Sequence, residues 1–320
     1  MRPEHRASAD EPRRVSQQLG AGTVRQPRIE PQFIDNGKPE LSRRFVVIRR
    51  AQVSPCQGLV IHAPAFAEEM NKSRRMVAQQ SAQLAAAGFT VVQIDLLGCG
   101  DSDGEFGDAT WQAWIDDVLL ACRIGRELEP SAPLWLWGLR AGCLLAAEAA
   151  QAWAEPCKLL LWQPSLSGAT VLQQFLRLRA AADMLGQGGK GVVDQLKAQL
   201  TAGEPVEVAG YVVGAALAQA LQQARLTPSA QVSQVEWLEL ADQADAPWSP
   251  AATTAIERWR GVVPVVQTRK VLGPQFWQTV EIEDAPALWA ASCAALLGTG
   301  TGTTAAAALP VGSLAPSPPA

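Results

Sequence analysis

A regular alternation of short apolar segments with longer amphipathic ones constrains this chain most. The apolar runs predicted as strands are RFVVIRR, GLVIHAP, FTVVQIDLLG, PLWLWGL, CKLLLWQP, VEWLELAD and GVVPVVQT. Helical patterns occur at roughly 68–87, 109–128, 141–153 and 250–259. Several strands are apolar on both faces, which is typical of a mostly parallel sheet with helices above and below it. The sequence therefore predicts a doubly wound α/β domain.

Composition divides the chain into a core, an insertion and two tails. Residues 1–42 and 298–320 are polar or low in complexity and are predicted to be disordered. The core is expected at 43–164 and 228–297. Residues 165–227 have helical patterns interrupted by glycine-rich segments and follow the strand CKLLLWQP. An insertion there is expected to form a helical lid over the carboxyl edge of the sheet, where open α/β sheets bind ligands.

Charge and cysteine usage argue against several classes of function. The net charge is −4, so the chain lacks the excess of positive charge that binds nucleic acid. Six widely spaced cysteines, with no CxxC pair, favour free thiols over a disulfide framework or a zinc site. The sequence has neither a signal-peptide pattern nor an apolar stretch long enough for a membrane helix. We expect a cytoplasmic protein with no nucleic-acid partner, no membrane span, no metal and no cofactor.

The segment LWLWGLRAG, residues 134–142, has the context of a sharp strand-to-helix turn of the form G-x-[nucleophile]-x-G. An apolar strand leads into Gly138, and a helix-forming run follows Gly142. The middle residue, where many hydrolases carry a serine, is Arg140. A guanidinium stays protonated at ordinary pH and cannot act as a nucleophile. The sequence thus predicts the turn without its attacking atom.

Three segments in order resemble the α/β-hydrolase fold: IHAPAFAEEMNKSRR, DLLGCGDSDG and LWLWGLRAG. With VEVAGY and GPQFWQTVEIEDAP they are similar, over roughly residues 42–297, to the family called exosortase A system-associated hydrolase 2. The resemblance implies an α/β-hydrolase fold and hydrolysis of an acyl ester, thioester or amide in a lidded pocket. It also implies association with bacterial exopolysaccharide and PEP-CTERM protein-sorting systems, whose proteins are the expected partners.

The fold that the chain resembles carries a Ser-His-Asp triad, from which this sequence departs. Its two histidines, His5 and His62, both precede the position after the last strand where the triad histidine is expected. The run ADQADAPWSP resembles the turn that bears the triad acid, which assigns that position to Asp245, with Asp242 as the weaker choice. A buried guanidinium needs a partner, so one hypothesis pairs Asp245 with Arg140.

Two other side chains resemble nucleophiles. Ser102 lies in GDSDG, which fits G-x-S-x-G, but a loop separates the end of the preceding strand at Asp95 from the next helix. We interpret Ser102 as a structural turn residue. Cys143 lies three positions after Arg140 and is interpreted as a buried packing thiol, because no histidine is available to form its thiolate.

Polar residues are concentrated in APAFAEEMNKSRRM, whose backbone would form the oxyanion side of the pocket. The candidate binding residues there are Glu69, Asn71, Lys72, Arg74 and Arg75, next to Glu68. We choose Glu69 and Arg75 as the inner members of a network; the alternative is an ordinary charged first helical turn. His62 just before this loop, and Trp277 and Glu281 in the late loop, complete the set.

Three functions remain open. A hydrolase would need water activated by a carboxylate such as Asp245 or Glu281. A pseudo-enzyme would use Arg140 with Lys72 or Arg74 to bind the carboxylate or phosphate of a small acyl or sugar-phosphate ligand. A scaffold would contact proteins of the exopolysaccharide machinery through its lid. The residues favour the pseudo-enzyme.

Overall fold

The computed structural model describes residues 28–184, 191–243 and 245–299. Its strands are β1 (Ile29–Asp35), β2 (Arg43–Arg49), β3 (Gly58–Ala63), β4 (Phe89–Ile94), β5 (Leu134–Leu139), β6 (Cys157–Trp162), β7 (Val206–Val208), β8 (Tyr211–Val213), β9 (Val232–Ala241) and β10 (Val265–Leu272). Its helices are α1 (Glu68–Ala86), α2 (Trp111–Leu128), α3 (Gly142–Ala152), α4 (Gly168–Met184), α5 (Val192–Thr201), α6 (Ala215–Gln223), α7 (Pro250–Arg260) and α8 (Pro286–Leu296).

The main sheet has the order β1-β2-β4-β3-β5-β6-β9-β10 and is parallel from β4 to β10. Strands β3 and β5 are buried along their whole length because helices cover both faces. The core on one face includes residues of α1 and α8, and the core on the other includes residues of α2 and α3. The predicted doubly wound α/β domain is confirmed.

The first strand corrects the sequence prediction. Residues 29–35 lie in the predicted disordered tail, yet they form β1, which pairs antiparallel with β2 from Ile29 opposite Arg49 to Asp35 opposite Arg43. The segment IEPQFID lacks a clear apolar pattern because β1 is an edge strand whose side chains are mostly exposed. Its stability comes from pairing with β2, which single-strand periodicity cannot reveal. The rest of that tail, residues 1–27, lies outside the described residues, as does 300–320.

The insertion after β6 contains α4, α5 and α6, but it is not entirely helical. Residues 206–213 form a hairpin of β7 and β8, where the sequence analysis expected only an interruption between helices. Ala209 and Gly210 both have positive φ, 51° and 81°. Positive φ at both central residues defines the type I′ turn that matches the twist of a two-residue hairpin.

A buried ion pair joins β2 to α2. Arg44 Nε donates to Asp117 Oδ1 at 2.7 Å, and the two side chains are only 1% and 3% exposed. Asp117 Oδ2 also accepts from the backbone N–H of Leu97 at 2.8 Å, and Arg44 Nη1 donates to the carbonyl of Leu41 at 2.7 Å. These bonds fix the loop after β4 against two core elements.

All six cysteines are free, and four of them are buried, so the prediction of free thiols is confirmed. Among the helices of the described ranges, none has the length and apolar character required to cross a bilayer. The same residues contain no group of three or more His, Cys, Asp or Glu side chains that could hold a metal ion.

Candidate functional site

The turn between β5 and α3 has the geometry of a nucleophile elbow. Arg140 lies at its tip with φ 55°, a left-handed conformation that non-glycine residues rarely adopt. A Cβ at Gly138 would lie 2.5 Å from Cys143 Cα, and one at Gly142 would lie 2.2 Å from the carbonyl oxygen of Ala63. Glycine is therefore required on both sides, as the sequence pattern predicts.

The Arg140 guanidinium is held by residues from three separate elements. Its Nε donates to Glu69 Oε1 on α1 at 3.1 Å, and its Nη2 donates to Gln174 Oε1 on α4 at 2.9 Å. Its Cζ lies 5.5 Å from the ring centroid of Trp277, in the loop after β10. The Arg140 and Glu69 side chains are 12% and 17% exposed. The tip of the elbow is thus a partly buried ion pair tied to the lid.

The predicted partner of Arg140 was wrong. Among the described residues its ion pair is with Glu69, and no salt bridge joins it to Asp245. Asp245 and Asp242 do follow β9, as the resemblance implies, but both are exposed in that loop. Glu69 lies in the first turn of α1, directly beside the elbow, and its carboxylate compensates the guanidinium where it is buried.

Two acidic side chains at the start of α1, Glu68 and Glu69, have raised pKa values. Burial raises the pKa of Glu69, and the Arg140 charge opposes that rise. Burial also raises the pKa of Glu68, whose Oε2 is buried without a hydrogen-bond partner. Glu68 therefore presents an unsatisfied carboxyl oxygen close to the elbow.

A cavity of about 320 Å³, which we call the elbow chamber, lies between α1, α4 and the late loop. Its lining residues are Phe66, Glu68, Glu69, Lys72, Val171, Gln174, Phe175, Leu178, Trp277 and Gln278. About half of these are large apolar side chains, contributed partly by the lid. Lys72 Nζ donates to the carbonyl of Gln278 at 3.5 Å and places one ammonium in the chamber. The chamber combines an apolar wall with a few polar groups, as small-molecule sites do.

A wider cleft of about 760 Å³ lies on the other side of Arg140 and Gln174, which line it. Its wall contains an ion pair between Lys270 Nζ and Glu239 Oε2 at 2.8 Å. Lys270 Nζ also lies 4.4 Å from the ring centroid of Trp248. Since Gln174 lines both spaces and bonds to the guanidinium, the Arg140–Gln174 contact separates the chamber from the cleft.

The remaining candidate binding residues on α1 contact different parts of the protein and do not form one network. Asn71 Nδ2 donates to the hydroxyl of Tyr211 on β8 at 2.7 Å. Arg74 Nη1 lies 3.6 Å from Asp95 Oδ1, and Arg75 Nε forms an ion pair with Asp284 Oδ1 at 2.9 Å. Glu69 and Lys72 line the chamber, whereas Arg75, chosen as an inner residue, makes an exposed contact.

Two further candidates lie away from the chamber. Glu281 is exposed and is not one of the residues that line it. His62, on β3, is 5% exposed, with its ring 4.5 Å from that of Trp137 and its Nε2 unpartnered. Burial, assisted by the nearby Arg74 charge, lowers its pKa from 6.5 to about 3. His62 lines a separate cavity, and His5 lies outside the described residues.

The two nucleophile-like residues have structural contacts. The Ser102 hydroxyl donates to the carbonyl of Asp95 and accepts from the N–H of Phe45, which confirms it as a turn residue. Cys143 is buried, its Sγ lies 3.6 Å from the carbonyl of Trp162, and burial raises the pKa of its thiol. Neither side chain presents a reactive atom to the elbow chamber.

Gln174 and Glu68 are not among the site residues predicted from the sequence. Gln174 lies on an amphipathic lid helix, and nothing in its local pattern tells which polar side chain faces the elbow. Glu68 precedes Glu69 in a first turn where acidic residues are common, so composition alone cannot separate the two. The strongest available signal was the requirement that a buried arginine have a carboxylate partner.

Comparisons with known proteins agree with this architecture. Residues 54–189, less than half of the chain, match the model of the serine aminopeptidase S33 family. No curated protein matches the chain significantly. The ferulic-acid-bound Est1E from Butyrivibrio proteoclasticus is 16% identical, with a TM-score of 0.61 and coverage of 83% of this chain and 98% of its own.

Two other solved structures are similar. A thermostable carboxyl esterase from Bacillus coagulans, in complex with glycerol, is 13% identical with a TM-score of 0.54, covering 77% of this chain and 90% of its own. DcsB, in complex with a substrate analogue, is 16% identical with a TM-score of 0.51, covering 84% and 99%. The chain therefore has the α/β-hydrolase fold, and its residues 54–189 are similar to the serine aminopeptidase S33 family.

Proposed function

We propose that this protein is a pseudo-hydrolase that binds a small acyl ligand in the elbow chamber without forming an acyl-enzyme. The observation that carries the proposal is the Arg140 side chain at the tip of the elbow, fixed by Glu69 and Gln174. In a serine hydrolase the serine that carries the attacking oxygen occupies this position. Here a permanently protonated guanidinium occupies it.

The groups around the elbow support binding over covalent catalysis. His62, the one histidine within the described residues, lines a different cavity and belongs to β3. The Cys143 thiol, with its raised pKa, is a poor source of thiolate. Losing both nucleophile and general base removes most of the rate enhancement of a triad enzyme and leaves about 10³–10⁴ over water.

The chamber itself points to a neutral polar head on an apolar chain. Glu69 compensates Arg140, so the charges still facing the chamber are Lys72 and Glu68. The unpartnered Glu68 Oε2 suits a ligand that donates a hydrogen bond, such as an amide or a hydroxyl. Phe175 and Leu178 on the lid suit the acyl chain. A free carboxylate would meet the unpartnered Glu68 oxygen, while Lys72 already donates to the carbonyl of Gln278, and this disfavours the anionic ligand that the sequence suggested.

We expect hexanamide to bind the full chain at least about tenfold more tightly than hexanoate at pH 7.5, because tenfold equals about 1.4 kcal/mol and one charge repulsion exceeds that in a partly buried site. Isothermal titration calorimetry measures both affinities. Leu178→Asp should abolish hexanamide binding, whereas Val280→Asp, an exposed residue of the nearby late loop that does not line the chamber, should not. Tighter binding of hexanoate, or equal effects of the two variants, would reject this ligand class.

A second candidate is hydrolysis without a covalent intermediate. The raised pKa of Glu68 suits a general base, and the similar structures include a carboxyl esterase. Under this alternative, slow turnover of p-nitrophenyl butyrate would fall at least about tenfold in Glu68→Gln, in line with the lower end of general-base effects. Asp245→Asn and Glu281→Gln, which change exposed carboxylates, are the controls. Turnover that matches the uncatalysed rate in every protein removes the candidate.

We extend the proposal to a cytoplasmic role in an exosortase A or exopolysaccharide system, where the ligand would be an acyl precursor or protein partner of that machinery. Support comes from the motifs PAFAEEMNKSRRM, GLRAG, VEVAGY and GPQFWQTVEIEDAP. Disruption of the gene should alter exopolysaccharide output, and a copy carrying Leu178→Asp should fail to restore it. Full restoration by that copy would separate the role from the elbow chamber.

A further inference from the structure

A second cavity of about 220 Å³ lies beneath α1 and shares no lining residue with the elbow chamber. Its apolar wall includes Met70 and Val77 of α1, Val47 of β2 and Leu139 of β5. This volume is far larger than the 10–15 Å³ or so that one water molecule requires. We call it the β2–α1 cavity.

Two polar side chains of this cavity lack partners. The half-buried Arg49 side chain forms no hydrogen bond or ion pair within the described residues, and its Nε is buried. His62 is 5% exposed, and its buried Nε2 has no hydrogen-bond partner either. A buried polar group without a partner destabilises the folded protein, and a buried charged group does so more strongly. Such groups favour a ligand that satisfies both.

The charges around the cavity leave one cation uncompensated. Arg74 lies 3.6 Å from Asp95, so these two lining groups offset each other. Arg49 has no acidic partner among the described residues, and burial lowers the pKa of its guanidinium. His62 is neutral near pH 7, since burial lowers its pKa to about 3, and a neutral imidazole donates one N–H. The cavity thus offers one net positive charge together with neutral polar groups, the His62 imidazole and the Gln93 amide.

Arg49 and His62 lie on β2 and β3, one on each side of β4. β4 lies between β2 and β3, and Gln93 of β4 pairs with both Val47 and His62. Two strand spacings separate β2 from β3, or about 10 Å. The long Arg49 side chain starts two residues beyond Val47, on the same face of β2. A molecule of a few heavy atoms can therefore span the distance between Arg49 and His62.

We propose that the β2–α1 cavity binds a small carboxylate with a short apolar chain, held by Arg49 and the His62 N–H, with the chain against Met70, Val77 and Leu139. A carboxylate fits the planar guanidinium fork and accepts from both groups. The apolar wall favours a chain over a bare inorganic anion. This site is independent of the elbow chamber and of the function proposed for it.

Calorimetric titration at pH 7.5 of the full chain carrying Leu178→Asp, which prevents binding in the elbow chamber, with butyrate, 1-butanol and inorganic phosphate tests the assignment. We expect butyrate to bind, and 1-butanol and phosphate to bind at least about tenfold more weakly, a difference of about 1.4 kcal/mol. Equal binding of butyrate and 1-butanol would overturn the role of Arg49. Equal binding of phosphate would overturn the choice of a carboxylate with a chain.

Variants locate the site. Arg49→Gln should weaken butyrate binding at least about tenfold, and Ala78→Leu, which fills the cavity from α1 and keeps both polar groups, should do the same. Arg258→Gln, an exposed arginine on α7 that does not line this cavity, is the control and should leave butyrate binding unchanged. Thermal unfolding verifies that each variant is folded. Undiminished binding in folded Ala78→Leu would overturn the proposal even if Arg49→Gln fails to fold.

Discussion

Replacing Asp117 by alanine should lower the free energy of unfolding by about 3–5 kcal/mol, because the change leaves the Arg44 guanidinium buried without its counter-ion. Both side chains are almost fully buried, and Asp117 also accepts from the backbone of Leu97. Urea denaturation monitored by circular dichroism measures the loss. Two core elements would lose their shared contact, so we expect the whole domain to be destabilised.

The neighbouring residue provides a matched control. Asp116 pairs with Lys38 at 3.3 Å in an exposed contact, so Asp116→Ala should cost less than about 1 kcal/mol. The double variant Arg44→Met, Asp117→Leu should recover part of the stability, since no lone charge stays buried while the Leu97 N–H and the Leu41 carbonyl still lose their partners. Similar losses in Asp116→Ala and Asp117→Ala would show that burial of the Arg44–Asp117 pair has no special weight.

The second large effect concerns the free energy of unfolding at acidic pH. The pKa of His62 falls from 6.5 to about 3 on burial, so the unfolded chain takes up a proton there below pH 6.5 while the folded chain does not. Stability contributed by this residue is therefore complete above pH 6.5 and is lost progressively as the pH falls toward 3. The loss amounts to about 2 kcal/mol between pH 7 and pH 5, at 1.36 kcal/mol per unit.

His62→Phe isolates this contribution, because phenylalanine keeps an aromatic ring beside Trp137 and cannot be protonated. Buried carboxyl groups such as Asp95 and Asp117 have raised pKa values and act in the opposite direction, but equally in both proteins. The difference between the two unfolding free energies, measured by denaturant titration at pH 5, 6 and 7, should therefore follow His62 alone. Parallel curves would mean that His62 takes up its proton at the same pH in the folded and the unfolded protein, so that burial does not lower its pKa.

Strand and helix patterns predicted most of the fold. The parallel strands are apolar runs, the helices between them are amphipathic, and the elbow needs Gly138 and Gly142, so each signal is local. β1 was not predicted because its side chains are mostly exposed and its strand conformation depends on pairing with β2. The β7–β8 hairpin escaped because its two strands are only three residues long, too short for a period of two to be detected.

The site was less predictable than the fold. Arg140 at the tip of the elbow followed from motif spacing, but its partner did not, because the choice between Asp245 and Glu69 depends on how α1 packs beside the elbow. Gln174 depends in turn on how the lid sits over the sheet. Such contacts join residues far apart in sequence, and no single-chain pattern encodes them.

On the proposed function, Arg140 replaces the attacking atom of the elbow, and ligands bind beside it without covalent chemistry. Intact-protein mass spectrometry after incubation with an alkyl fluorophosphonate tests this most directly, with a serine esterase as the positive control. We predict an unchanged mass for this protein under conditions that label the esterase completely. A stoichiometric gain of one phosphonyl group, mapped to a residue of the elbow, the elbow chamber or the adjoining cleft, would show that a nucleophile acts there and that Arg140 does not replace it.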